Sequence, residues 1–103
     1  MIRVIKDVVR GTPVTFTATF YNSDDDQMAA NTATLYVNYR VNNVANTANV
    51  VMDQVNTYYW EATWDSSNAD AGTIDWSIVA QGENKAVSEG SFRVLANKAT
   101  KSV

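Results

Sequence analysis

The sequence predicts an all-β protein built as a two-sheet sandwich. Three observations lead there. Apolar residues recur with a period of two in most segments, the spacing of a strand with one buried and one wet face. Turn-forming residues interrupt these segments roughly every ten residues. Charged residues make up only 18% of the chain. Thr, Asn and Ser take their place, a balance that suits exposed strands better than exposed helices. About seven antiparallel strands in two sheets are expected, with a partly closed barrel as the runner-up.

The elements follow in order. "IRVIKDVV" reads as an edge strand, its alternation broken by Lys6 and Asp7, charges that discourage unwanted pairing. "RGTP" is a turn, and Pro13 stands at the start of the next strand, one of the few strand positions that tolerate proline. "VTFTATFY" alternates Val14, Phe16, Ala18 and Phe20 with Thr15, Thr17, Thr19 and Tyr21. A long loop, "NSDDDQMAANTA", separates it from "TLYVNYRV", where Leu35, Val37, Tyr39 and Val41 share a face. "VNNVAN" reads as a loop whose Asn42 and Asn43 tolerate left-handed geometry. "ANVVMDQV" is a weaker strand with Val50 and Met52 on one face, followed by a reversal at Asn56 and Thr57. "YYWEATW" places Tyr58, Trp60, Ala62 and Trp64 together. "DSSNADAG" is a connection with room for one helical turn. "TIDWSIVA" places Ile74, Trp76, Ile78 and Ala80 together; "QGENKA" is a hairpin loop, and "SFRVL" closes the fold with Phe92 and Val94 inward.

A chain of 103 residues with an apolar fraction of 46% is one domain. The expected limits are residues 1–96, with a polar tail over 97–103. No internal repeat or linker is visible. Domains of this size bury roughly two-thirds of the unfolded chain's surface, enough for one core without staples.

Several function classes lose support. The net charge is −3 and the cations bunch only at the ends, as Arg3, Lys6 and Arg10 and as Lys98 and Lys101, so no basic stripe for nucleic acid is seen. Cysteine and histidine are absent, which removes disulfides, thiolate metal sites and the commonest general base. The start "MIRVIKDVVRG" lacks the continuous apolar core of a signal peptide, and no stretch is long enough to span a bilayer as a helix. There is no Gly-rich phosphate loop and no nucleophile elbow, and Ser66 and Ser67 have no base nearby in sequence. The expectation is a protein that is not an enzyme, with no cofactor and no metal.

Three groups of residues invite a sharper reading. Asn22, Asp24 and Asp26 alternate like the start of a calcium loop, but no glycine follows and Ala33 stands where the bidentate Glu would be. With Asp25 they read better as a solvated turn. Asp65 and Asp70 bracket a loop; they read as turn and cap residues rather than an acid–base pair. Trp60, Trp64 and Trp76, with Tyr39 and Tyr58, share the phase of the aliphatic residues and are expected in the core. Tyr21, Tyr36 and Tyr59 point the other way. Thr17, Thr19, Tyr21 and Tyr59 are therefore the candidate interaction face, poor in charge and suited to docking. An ordinary Thr-rich wet face is the equal alternative, and the opposite sheet around Tyr36, Arg40 and Val79 is the next place to look.

"DAGTIDW", Asp70 to Trp76, is similar to the corner before a late strand in immunoglobulin domains, where a tyrosine and then a cysteine would follow the glycine. Ile74 and Trp76 stand in those places, so packing would replace a hydroxyl bond and a disulfide. More widely, "TPVTFTATFYNSDDDQ", "TLYVNYRVN", "YYWEATWDSS", "DAGTIDWSIVAQG" and "EGSFRVLAN" resemble the small immunoglobulin-like domains of tailed-bacteriophage and prophage structural proteins. The resemblance runs from about Val14 to Ala96. In those domains an acidic turn ending in glycine follows an aromatic strand end; here Asp26 takes the glycine's place. The resemblance implies an immunoglobulin-like β-sandwich serving as a virion accessory protein on head surface, neck or tail. Its partners would be other virion proteins or copies of itself, with no nucleic acid and no membrane, and its location the virion, after synthesis in the host cytoplasm. A carbohydrate- or cell-surface-binding module is the alternative, and a calcium-tuned adhesion domain the third reading.

Overall fold

The computed structural model describes residues 7–21, 24, 26–82 and 85–95. They form eight strands: β1 (Val8–Val9), β2 (Pro13–Ala18), β3 (Ala30–Val41), β4 (Val44–Val51), β5 (Asp53–Asn56), β6 (Tyr59–Asp65), β7 (Gly72–Gly82) and β8 (Lys85–Leu95). One sheet has the order β1-β8-β7-β3-β4 and the other the order β2-β6-β5. All pairs are antiparallel except β1 with β8. The chain is thus all-β with two sheets, as a sandwich requires. Met1, the five residues of "IRVIKDVV" as far as Lys6, the loop residues Asn22, Ser23 and Asp25, Glu83 and Asn84 of the "QGENKA" hairpin loop, Ala96 and the tail lie outside the described residues.

Local chemistry explains the reversals. Asn42 and Asn43 have φ of 51° and 67°, the double left-handed geometry of a two-residue hairpin turn between partners Val41 and Val44. Asparagine tolerates this because its short amide side chain bonds locally. Between β1 and β2, the Thr12 N–H donates to the Val9 carbonyl at 3.0 Å, and Gly11 takes φ of 99° at the turn's third place, which a side chain would strain.

The structure departs from the sequence reading at several places. "ANVVMDQV" is two strands in different sheets. The chain crosses at Met52, whose N–H donates to the Ala33 carbonyl at 2.9 Å while its side chain enters the core. The inward phase of Val50 and Met52 continues through the crossing, so alternation hides it. "VNNVAN" is a tight turn leading straight into β4, and "DSSNADAG" makes a single turn closed by the Ala69 N–H on the Ser66 carbonyl at 3.1 Å, with no helix. The strand around "SFRVL" begins at Lys85, because the inward residues Ala86, Ser88 and Gly90 are too small to register as apolar periodicity. Tyr58 is not in the core: it is 37% exposed, at the β5–β6 turn.

The core is one cluster between the sheets. Phe16 of β2 meets Trp76 of β7 at 5.6 Å and Phe92 of β8 at 6.1 Å, both edge to face. Trp64 of β6 meets Phe92 at 6.2 Å and the half-buried Tyr39 of β3 at 5.4 Å. These four contacts all cross from one sheet to the other. Trp76 also lies against its register partner Gly90, where an added Cβ would sit 2.6 Å from the indole ring. Glycine is required there because the ring occupies the side-chain space.

Two stability measurements test this packing. Trp76→Ala should lower unfolding free energy by about 3–5 kcal/mol in a urea titration, as large-to-small core changes do. Gly90→Ala should cost about 1–3 kcal/mol by overpacking. That cost should vanish when Gly90→Ala is made in the Trp76→Ala background. A full cost in both backgrounds would show that the ring is not what excludes a side chain at position 90.

Candidate functional site

The sequence-derived face divides on the structure. Thr17 is 8% exposed, buried on β2 although its phase is outward, so it presents almost no surface. Thr19 is half-buried just beyond the end of β2, and Tyr59 is half-buried at the start of β6. Tyr21 is exposed and forms an isolated bridge with Gln27, outside the small sheet. The four residues therefore do not form one continuous strand-borne surface. The face is also more charged than a Thr-rich reading suggests. Glu61 is the register partner of both Thr17 and Asp53, which sets two carboxylates side by side across β5 and β6.

The polar groups that looked like possible chemistry are held as fasteners. Asp70 accepts hydrogen bonds from the N–H groups of Asn43 at 2.8 Å and Asn42 at 3.0 Å, while its own N–H donates to the Arg40 carbonyl at 2.7 Å. The corner before β7 thereby clamps the β3–β4 turn, and the Arg40 guanidinium closes the same turn on the Asn43 carbonyl at 3.1 Å. Those two N–H donors, with the charges of Arg10 and Arg40 behind them, hold the Asp70 carboxyl below its ordinary value. Asp65 is lowered by the Ser67 hydroxyl, at 2.6 Å, and then by the Ser67 N–H, at 2.9 Å. Asp7 is lowered by the Arg93 N–H, at 2.9 Å, and by the Arg93 side chain. Ser66 is fully buried; its hydroxyl donates to the Thr12 carbonyl and accepts from the Gly11 N–H, both at 3.0 Å. It ties the β1–β2 turn to the loop after β6, a role that no local sequence pattern reveals.

On the acidic loop, Asp24 and Asp26 are exposed. Among the described residues no three carboxylates gather as a metal site would need.

The second place named by the sequence, around Tyr36, Arg40 and Val79, lies on β3 and β7 of the five-stranded sheet. Register places Val87, Val79, Thr34 and Val51 side by side across β8, β7, β3 and β4. Val87 is 54% and Val51 76% exposed, so the row is largely open. Two steps along the strands lies a polar row of Ser91, Asp75, Asn38 and Thr47, with the Thr47 hydroxyl donating to the Asn38 side-chain carbonyl at 2.8 Å. A shallow open depression follows this row toward Arg40 and Thr73. The sequence signal for the face was the pairing of outward Val79 with outward Val87, visible only once the register is known.

Acid sensitivity follows from the three lowered carboxyls. A carboxyl whose folded pKa is depressed stabilises the fold above its unfolded pKa, and that contribution is lost as pH falls through the folded value. Stability should therefore hold at neutral pH and decline on acidification below about pH 4, the ordinary carboxylate range. Asp70→Asn should flatten that decline and lower the melting temperature at pH 7 while changing it little at pH 2. An unchanged pH profile in this variant would contradict the clamp. In comparisons with known proteins, no family model matches the chain and no curated protein matches it significantly.

Proposed function

We propose that the chain is a non-enzymatic immunoglobulin-like contact module that serves as a structural or accessory protein of a tailed-bacteriophage or prophage particle. The strand partition supports the fold part. The second, sixth and fifth strands make one sheet; the third, seventh and eighth make the other, with the fourth added beside the third. Apart from β1, which lies beside β8, this partition resembles that of an immunoglobulin sandwich, with an extra strand as in variable-type domains. Trp76, in the place of the late-strand cysteine, faces Phe16 on the opposite sheet. The sequence resemblance supports the particle role.

The observation that carries the contact reading is the open apolar row from Val87 to Val51 on the large sheet. Three valines outside the domain's own core, on β8, β7 and β4 with Thr34 of β3 between, suit a protein partner. Asp65, Asp70 and Ser66 are occupied in holding loops, which favours contact as the way the open face acts.

The test uses particles released after prophage induction from cells that carry the gene. The chain should co-purify with density-banded particles at a fixed ratio to their major structural protein. Val79→Glu with Val87→Glu should fold, judged by its melting curve, yet be lost from the particles. A chain that stays in the unbanded lysate sinks the particle role. The polar depression beside Asn38, Thr47 and Asp75 favours a second reading, glycan binding, because amide, hydroxyl and carboxylate groups recognise sugar hydroxyls. Saturable glycan-array binding that Asp75→Ala abolishes would favour it.

A further inference from the structure

The geometry points to β4 as a self-complementary edge, on which a second copy of this chain adds its own β4 antiparallel, so that two five-stranded sheets become one continuous sheet. This deepens the contact reading by naming a partner, but it depends on no particle.

An edge strand exposes a row of unpaired N–H and C=O groups, and natural sheets blunt such rows. The other edges of this fold carry blunting devices. β2 opens on Pro13. β5 begins with Asp53 and is bulged against β6. β1 has two residues and lies beside the Asp7–Arg93 ion pair, and β8 carries Lys85 and Glu89. β4, "VANTANVV", has no charge and no proline, and it pairs with β3 without a register break from Val44 to Val51.

Which groups are free follows from the turn. A two-residue hairpin closes on a pair that exchanges both backbone bonds, here Val41 with Val44. Bonded and non-bonded pairs then alternate. Val44, Asn46, Ala48 and Val50 thus turn their backbone groups toward β3. The Met52 N–H, bonded to the Ala33 carbonyl, keeps the same phase. Ala45, Thr47, Asn49 and Val51 turn theirs to the open edge.

A two-fold axis perpendicular to the sheet pairs only positions that share a face. Centred on Ala48, it sets Thr47 opposite Asn49 and Ala45 opposite Val51 of the second copy. Every outward N–H then meets an outward C=O. Centred instead on Thr47, it leaves the outward groups of Val51 without a strand partner. The Ala48 register also brings two small side chains together at the axis, in a non-bonded pair where side chains approach most closely. It covers Val51, the most exposed large apolar side chain among the described residues, with Ala45. No like charges meet.

The experiment compares the parent with two charge variants by sedimentation equilibrium at about 0.5 mM protein, because edge contacts are small and weak. The parent should dimerise. Thr47→Lys with Asn49→Lys sets lysine against lysine across the axis, and should raise the dimer dissociation constant at least about tenfold. Thr47→Lys with Asn49→Glu sets lysine against glutamate in the Ala48 register and should restore the dimer. Amide exchange on the unaltered protein gives a readout that needs no variant. The N–H groups of Thr47 and Asn49 should become protected as concentration rises, whereas that of Ala48 is protected throughout.

A monomeric parent, a dimer indifferent to the double lysine variant, or outward amides whose exchange ignores concentration each overturn the inference. Failure of the lysine–glutamate variant to dimerise overturns the register. Should a variant not fold, the exchange measurement decides alone. A dimer found in a protein that never enters particles would overturn the particle role and leave this edge contact standing.

Discussion

Phe16 is the contact on which the two sheets depend. It projects from the middle of β2 and meets Trp76 and Phe92, side chains from two adjacent strands of the opposite sheet. A domain of this size without cysteine has no covalent tie between its layers. A disulfide would contribute about 2–4 kcal/mol. Edge-to-face ring pairs contribute about 0.5–1.5 kcal/mol each beyond the area they bury. Three such cross-sheet contacts, counting Trp64–Phe92, with the tilted Tyr39–Trp64 pair beside them, are of comparable size. The aromatic solution has a cost: the indole N–H groups of Trp60 and Trp76 are buried without an acceptor. Each such group loses about 1–3 kcal/mol. Burying about 150–250 Å² of indole returns about 4–6 kcal/mol, so packing wins.

That choice shapes what the molecule can do. The space between the sheets is filled, and the polar groups near the corners are spent on turns: Asp70 on the β3–β4 hairpin, Asp65 on Ser67, Ser66 on the β1–β2 turn. The three-stranded sheet carries the adjacent Asp53 and Glu61 on its outer face. The five-stranded sheet carries an apolar row, a polar row and an edge strand without charge. The described residues extend 51 Å along their longest axis but only 23 and 19 Å across. A narrow body of this kind has most of its area on sheet faces and edges, which is where contact would have to occur.

Much of the fold was legible because burial follows alternation. β6 and β7 alternate buried and less buried residues without a break from Trp60 to Trp64 and from Ile74 to Ala80, as their spacing predicts. Tyr58 broke the rule because it shares the phase of Trp60 but sits in the turn, beyond the end of the strand. The crossing at Met52 was invisible because the residue stays buried while the strand it belongs to changes. Thr17 misled in the other direction: outward phase did not give it exposure. The contact surfaces were least legible, since they depend on which strands are neighbours. Val79 and Val87 look unremarkable eight residues apart, and nothing in "VANTANVV" alone says that it lies at an edge.

The dependence of the sandwich on Phe16 is tested most directly by a double-mutant cycle with Trp76. Phe16→Leu, Trp76→Leu and the double variant would be unfolded in urea alongside the parent. A direct ring contact across the sheets predicts a coupling energy of about 1 kcal/mol, with the double variant losing less than the sum of the singles. Additive losses, within about 0.3–0.5 kcal/mol, would contradict the account and mean that the two rings stabilise their own sheets independently.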